Sequence, residues 1–196
     1  VSATLMNVLY AGIANPVSIS VPGVPMSGIS ASMTNGTLSR EGDHWSARPQ
    51  QVGKEAVVTV TANMDGHPVT MASTTFRVRK LPDPTPFIPF KDKQGNIDHY
   101  RGSQPFPKAT LLAAEGLQAA IDDGLLDTPF EVLSFETVFF DSSGNAIPEL
   151  SDGNRFSRRQ KAQFQRLNRG KRFFISRVMA KGPDGITRQL SPMEVI

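Results

Sequence analysis

The residues that could carry chemistry in this chain are few and scattered. Its three histidines, His44, His67 and His99, stand apart, with no HxH or HExxH spacing that would bring two imidazoles to one metal. Lone histidines are more often surface or core residues than ligands. The chain has no cysteine, which removes thiolate metal sites, disulfides and Cys nucleophiles together. Gly28-Ile-Ser-Ala-Ser32 lacks the second glycine of a nucleophile elbow and lies in an alternating, strand-like pattern. Glycine patterns that cradle phosphates or dinucleotides do not occur. Asp122-Asp123 and Asp127 offer carboxylates, but they sit in a Gly-containing loop without the oxygen spacing of a calcium loop and read as a solvated turn. Asn35-Gly-Thr37 matches a glycosylation acceptor and is equally explained by a tight turn. The expectation is a chain with no catalytic constellation, no cofactor and no bound metal, and hence not an enzyme.

Charge is more informative. The formal net charge is only +3, yet Arg155 to Arg177 holds nine Lys/Arg and no Asp or Glu, so the remainder is slightly acidic. Within this run, residues 157–168 form the one clear amphipathic helix, with Ser157 as N-cap and Gly170 as terminator. Phe156, Gln160, Phe164 and Leu167 share an arc of roughly 80°, while Arg158, Arg159, Lys161, Arg166 and Arg169 take the opposite side. The plainer reading is a solvated face that keeps the domain soluble. The functional reading makes these five residues a docking face for something acidic. Nucleic acid is not expected, because no aromatic stacking platform or recognised binding motif accompanies the charges.

These residues must be positioned by folded elements, and the chain divides at a proline-rich stretch. Phe76 and Val78 alternate with Arg77 and Arg79 as in a half-buried strand, and Pro82, Pro84, Pro86 and Pro89 follow within eight residues. Proline donates no N–H and biases its predecessor toward extended geometry. Residues 81–89 are therefore expected to enter neither a helix nor a central strand, and to act as a stiff polyproline spacer. The joint residues are Leu81, Pro82, Asp83, Pro84 and Pro86. This gives a first domain over 1–81, a linker over 82–89 and a second domain over 90–196, each long enough for its own core. No run approaches the ~20 apolar residues that span a bilayer. With neither an initiator Met nor a signal-peptide pattern at Val1, the chain reads as a fragment or a mature product.

Before the joint, alternating runs at Val17/Ile19/Val21, Ile29/Ala31/Met33 and Val58/Val60/Ala62 are separated by Pro22-Gly23, Asn35-Gly36, Gly42-Asp43 and Asp65-Gly66. Asn35-Gly36 and Asp65-Gly66 suit two-residue hairpin turns. The predicted fold is an immunoglobulin-like sandwich with Trp45 in or at the edge of its core. After the joint the pattern predicts a hairpin tip at Gln94-Gly95-Asn96 and a helix over 107–114 ended by Gly116, while 117–121 fits either helix or strand, with strand the preferred reading. A long strand follows over 130–140, whose apolar face changes between Val132 and Phe135 as a bulge would require. It turns back at Asp141-Ser-Ser-Gly144, and a last strand pair closes across Lys181-Gly-Pro-Asp-Gly185. The fold class is mainly β: two tandem β-sandwich-like domains, the second with one or two short helices.

Two segments resemble a known family. Leu9-Tyr-Ala-Gly-Ile-Ala-Asn-Pro-Val-Ser-Ile-Ser-Val-Pro-Gly23 is similar to the opening of the third domain of the gliding-motility M proteins, the GldM/PorM family of the Bacteroidetes type IX secretion system. Phe76-Arg-Val-Arg-Lys-Leu-Pro-Asp-Pro84 resembles that family's junction, and Phe130, Val132, Phe135, Gly170 and Ala180-Lys-Gly-Pro-Asp-Gly185 resemble its C-terminal domain. The resemblance implies two periplasmic domains of an elongated homodimer anchored in the inner membrane by an N-terminal helix absent here. It implies a motor formed with an inner-membrane L protein through that missing part, and contacts with ring proteins of the K and N type (PorK/PorN, GldK/GldN) beneath the outer membrane. The chain would then be a non-catalytic, force-transmitting component linking motor to ring. The alternative is a carbohydrate-binding or adhesive sandwich pair of a surface protein, although one Trp and two Tyr are few for a glycan site.

Overall fold

Turn residues release short alternating strands in the first half of the chain. The computed structural model describes residues 7–122 and 126–196. It places strands β1 (Val8–Tyr10), β2 (Asn15–Val17), β3 (Ile29–Met33), β4 (Gly36–Glu41), β5 (His44–Pro49), β6 (Glu55–Met64) and β7 (His67–Arg79) in this half. One sheet has the order β1-β7-β6-β3 and the other β2-β5-β4, with β1 parallel to β7 and every other pair antiparallel. This is the immunoglobulin-like sandwich that the spacing predicts. Leu9, Ala47, Ala56 and Val78 fill one part of its interior, and Val21, Ile29, Trp45 and Ala62 the other. Asn15 fastens the corner between β1 and β2: its Oδ1 accepts the Tyr10 N–H at 2.8 Å, and its Nδ2 donates to the carbonyls of Tyr10, Ile13 and Ala47 at 2.9, 3.0 and 3.1 Å.

The turns divide by what they connect. Asp65-Gly66 closes β6–β7 as a two-residue hairpin, with φ of 54° and 82° and Met64 opposite His67. Asn35-Gly36 does not close a hairpin, which corrects the sequence expectation. β3 pairs with β6 and β4 with β5, so this dipeptide carries the chain from one sheet to the other. Which strands pair is decided by long-range packing; the dipeptide dictates only the local φ. Of residues 17–21, Val17 alone joins a ladder, although Ile19 and Val21 keep the inward alternation.

The second half contains β8 (Thr85–Lys91), β9 (Ile97–Tyr100), α1 (Lys108–Ala113), β10 (Gln118–Asp122), β11 (Asp127–Phe140), β12 (Ala146–Asp152), α2 (Arg158–Arg166), β13 (Phe173–Lys181), β14 (Thr187–Gln189) and β15 (Met193–Val195). Its sheet runs β14-β13-β11-β10-β8-β9, with β12 on β11 and β15 on β13. β11 is the spine. Its inward residues are Thr128, Phe130 and Val132, then Phe135, Thr137 and Phe139, and the register against β13 shifts between 132 and 136. The extra residue of a bulge moves the apolar face to the other parity, as the sequence suggests. Rings from the strands and α2 interlock here, with Phe164 lying 5.0 Å from Phe156 and 5.2 Å from Phe173. Gly116 has a reason other than ending α1, whose cap is Ala114: a Cβ there would meet the Asn154 carbonyl oxygen at 1.9 Å.

By its contacts the chain separates into two compact units, Val1–Leu81 with Pro183–Gly185 and Pro82–Gly182 with Ile186–Ile196. The proline-rich stretch is where a second expectation fails. Residues 85–91 are a strand inside the eight-stranded sheet, so 82–89 is not wholly a spacer. The physical reason is that β8 divides its partners: Thr85–Phe87 face β10, and Ile88–Lys91 face β9. Successive residues point their N–H groups to opposite edges, so Pro86 and Pro89, of opposite parity, can each turn the missing donor toward the edge that lacks a partner at that point.

Candidate functional site

β7 ends at Arg79 and β8 begins at Thr85, so the joint proper is 80–84. Leu81 and Pro84 are buried, Pro82 and Asp83 are exposed, and Pro86 is buried within β8. Asp83 is nevertheless held. Arg188 Nε lies 3.1 Å from Asp83 Oδ1, and the guanidinium stands 5.0 Å from the centre of the Phe130 ring. The Arg188 side chain is only 5% exposed, so its charge depends on that carboxylate and on the aromatic face. Sequence reading passed over Arg188, though a signal existed. Ile186, Arg188 and Leu190 share the inward parity of their strand, which places a charge where an apolar residue is expected.

The basic helix owes its start to a capping box. Gln160 N–H donates to Ser157 Oγ at 3.2 Å, and Ser157 N–H to Gln160 Oε1 at 2.8 Å. Gln160 Nε2 also donates to the Glu149 carbonyl at 2.9 Å, which explains an amide among the aromatic residues of the inward arc. Arg158, Arg159, Arg166 and Arg169 are exposed, while Lys161 is half-buried. The helix stops at Leu167, so Arg169 lies beyond it in the turn made by Gly170 at φ 77°. Four of the nine basic residues have acidic partners: Arg155 with Glu115 at 3.8 Å, Arg159 with Glu149 at 4.0 Å, Arg172 with Glu194 at 2.7 Å, and Arg177 with Glu136 at 3.7 Å. Arg158, Lys161, Arg166, Arg169 and Lys171 form no ion pair among the described residues. Arg159 stays 84% exposed beside its 4.0 Å contact and keeps its charge available, and Lys171 adds a further exposed cation.

Arg169 and Lys171 border a cleft of about 520 Å³ between the end of α2, α1 and the β15 edge. Phe106, Leu111, Phe173 and Val195, all buried, lie at its base, and Pro105, Pro107, Leu167 and Ile196 supply its accessible apolar surface. Lys108 crosses one side, its Nζ donating to the Gln165 and Leu167 carbonyls at 2.6 and 2.9 Å. That ammonium satisfies two terminal carbonyls of α2 and cancels the negative end of the helix dipole.

Elsewhere the polar groups are structural. Asp122 pairs with Arg101 and stands opposite Asp127 on the first rung between β10 and β11; Asp123 lies outside the described residues. His44 touches the Asp43 and Glu41 carboxylates at the surface, and the His99 ring stacks on Phe87 at 4.0 Å. Asp141 accepts from the Ser143 and Asn145 N–H groups and from the Asn145 side chain, and those bonds, Asn145 first, hold its carboxyl below the ordinary value. Among the described residues no group of three or more His, Asp or Glu is placed to hold a metal, and no helix is long and apolar enough to cross a membrane. Trp45 and Tyr100 are buried at 6% and 7% exposure, so neither offers an open platform to a sugar ring.

Comparison with curated proteins finds no match. Family models, by contrast, cover almost the whole chain: that of the GldM third domain matches residues 1–79 and that of the GldM C-terminal domain residues 82–196. The first match carries the motif that Asn15 fastens, and the break between the two falls on the joint. The chain belongs to the GldM family, a component of the gliding-motality and type IX secretion machinery, and comprises that family's third and C-terminal domains.

Proposed function

We propose that this chain is the periplasmic, non-catalytic part of an inner-membrane-anchored homodimer, and that it passes movement from a motor built with an L-type protein to ring proteins of the K and N type. The observation that carries the reading is the joint. Residues 80–84 contain two prolines and no glycine, two of the five side chains are buried, and Asp83 is pinned by a buried arginine. A flexible tether would dissipate a displacement, whereas a short, proline-bearing connection without glycine has little slack.

Softening the joint tests this. Pro84 and Pro86 are buried and changing them would injure the second domain, and Asp83 must stay to neutralise the buried Arg188, so the informative change is Lys80→Gly with Pro82→Gly, both at exposed positions. In cells carrying it, protein level and association with the ring proteins should stay near normal while cargo export falls several-fold. Normal export with normal protein level would overturn the coupling role.

A further inference from the structure

We propose that the cleft beside the C-terminal end of α2 is a docking site for an acidic protein segment that carries one large apolar side chain. This goes beyond the coupling reading and stands whether or not the joint is stiff. Phe173, Leu111 and Val195, almost wholly buried, form only the floor, and the apolar surface open to an anchor comes from Pro105, Pro107, Leu167 and Ile196 around them. About 520 Å³ accommodates one aromatic or branched side chain with the backbone on either side of it. Apolar walls give the anchor somewhere to go, and the rim decides the charge of what surrounds it.

Three cations, Lys108, Arg169 and Lys171, stand against the one carboxylate of Ile196, and the rim is net cationic for a definable reason. The end of α2 would ordinarily present negative carbonyl dipoles, but Lys108 occupies those of Gln165 and Leu167. Arg169 and Lys171 then stand over the opening with no acidic partner among the described residues. Arg166, Lys161 and Arg158 likewise have none, so unbalanced positive charge continues along α2 away from the cleft. A single small carboxylate would use only the rim, whereas an extended acidic segment would use the rim and the helix together, and this favours a protein segment over a fatty acid. Charge of this kind contributes association rate and specificity, and the buried anchor contributes residence.

The experiment uses the whole 196-residue chain and fluorescein-labelled heptapeptides read by fluorescence anisotropy. The probe is Glu-Asp-Glu-Phe-Glu-Asp-Glu, compared with the same peptide carrying Ser for Phe. The Phe peptide should bind saturably and at least tenfold more tightly than the Ser peptide, and should weaken with added salt. Arg169→Glu with Lys171→Glu should reduce its affinity at least tenfold. Reversal of Arg77 and Arg79, exposed on β7, should change it less than twofold. Thermal melts check that the double variant is folded; Lys171→Ala, which should weaken binding several-fold, serves if it is not. Equal binding of the two peptides, or equal loss on reversing Arg77 and Arg79, would reduce the site to unspecific surface charge and overturn the proposal. Displacement of the peptide by sodium dodecanoate at lower concentration than the peptide itself requires would assign the cleft to a lipid instead, and no saturable binding at all would remove it.

Discussion

Asn15 shows how much one side chain can hold. It is 8% exposed and satisfies one backbone N–H and three carbonyls of the β1–β2 corner and β5. Asn15→Ala should cost about 2–4 kcal/mol, because buried groups left without partners lose more than the net worth of the bonds themselves. A urea midpoint barely changed from the parent would refute that. Asp141 makes a prediction about pH. Its folded-state carboxyl is held below the ordinary 3.8 by bonds from Asn145, so its contribution is complete above that value and disappears as pH falls through the depressed one. Asp141→Ala should therefore lower the melting temperature near neutrality and leave it unchanged in strong acid; an equal decrease at every pH would count against it. The turn at Asp141 was legible from Asp-Ser-Ser-Gly, since turn chemistry is local. Arg188 was not read, because its partners Asp83 and Phe130 come together only once the sheet has formed.

At the scale of elements, α2 was legible because helix periodicity, a serine cap and an apolar arc all point the same way. Its capping box gives a measurable consequence. Ser157→Ala should cost about 1 kcal/mol of stability, the usual worth of a cap. Gln160→Leu should cost more, since it strands the Ser157 N–H and leaves the Glu149 carbonyl only a long bond of 3.5 Å from Thr137 Oγ1. Chemical denaturation of the two variants checks the order, and the reverse order would refute the account. The bulge in β11 was also legible, from the change of parity between Val132 and Phe135. β8 was misread for a physical reason: proline forbids a donor, but a strand with a different neighbour on each half does not need one at every position. The route through Asn35-Gly36 was misread because positive φ is shared by hairpins and by crossings between sheets.

For the whole molecule, the division between Leu81 and Pro82 predicts that residues 82–196 expressed alone unfold in one cooperative transition. A gradual, non-cooperative melt would mean that the second unit depends on the first. The topology also sets a timetable. Synthesis delivers the N-terminal side first, as does threading across a membrane, yet β1 takes its place only against Arg77–Arg79 of β7, at the far end of the same domain, and β2 needs β5. The first domain therefore stays incomplete through nearly all of its own synthesis, with apolar Leu9 and Ala11 lacking their Val78 neighbour and with strand edges open to wrong partners. The last of its strand residues to emerge are those that lead into the joint. Completion of this sandwich and arrival of the connector are thus nearly one event in time, and a halt just before residue 77 emerges would be the most hazardous point for the chain to wait.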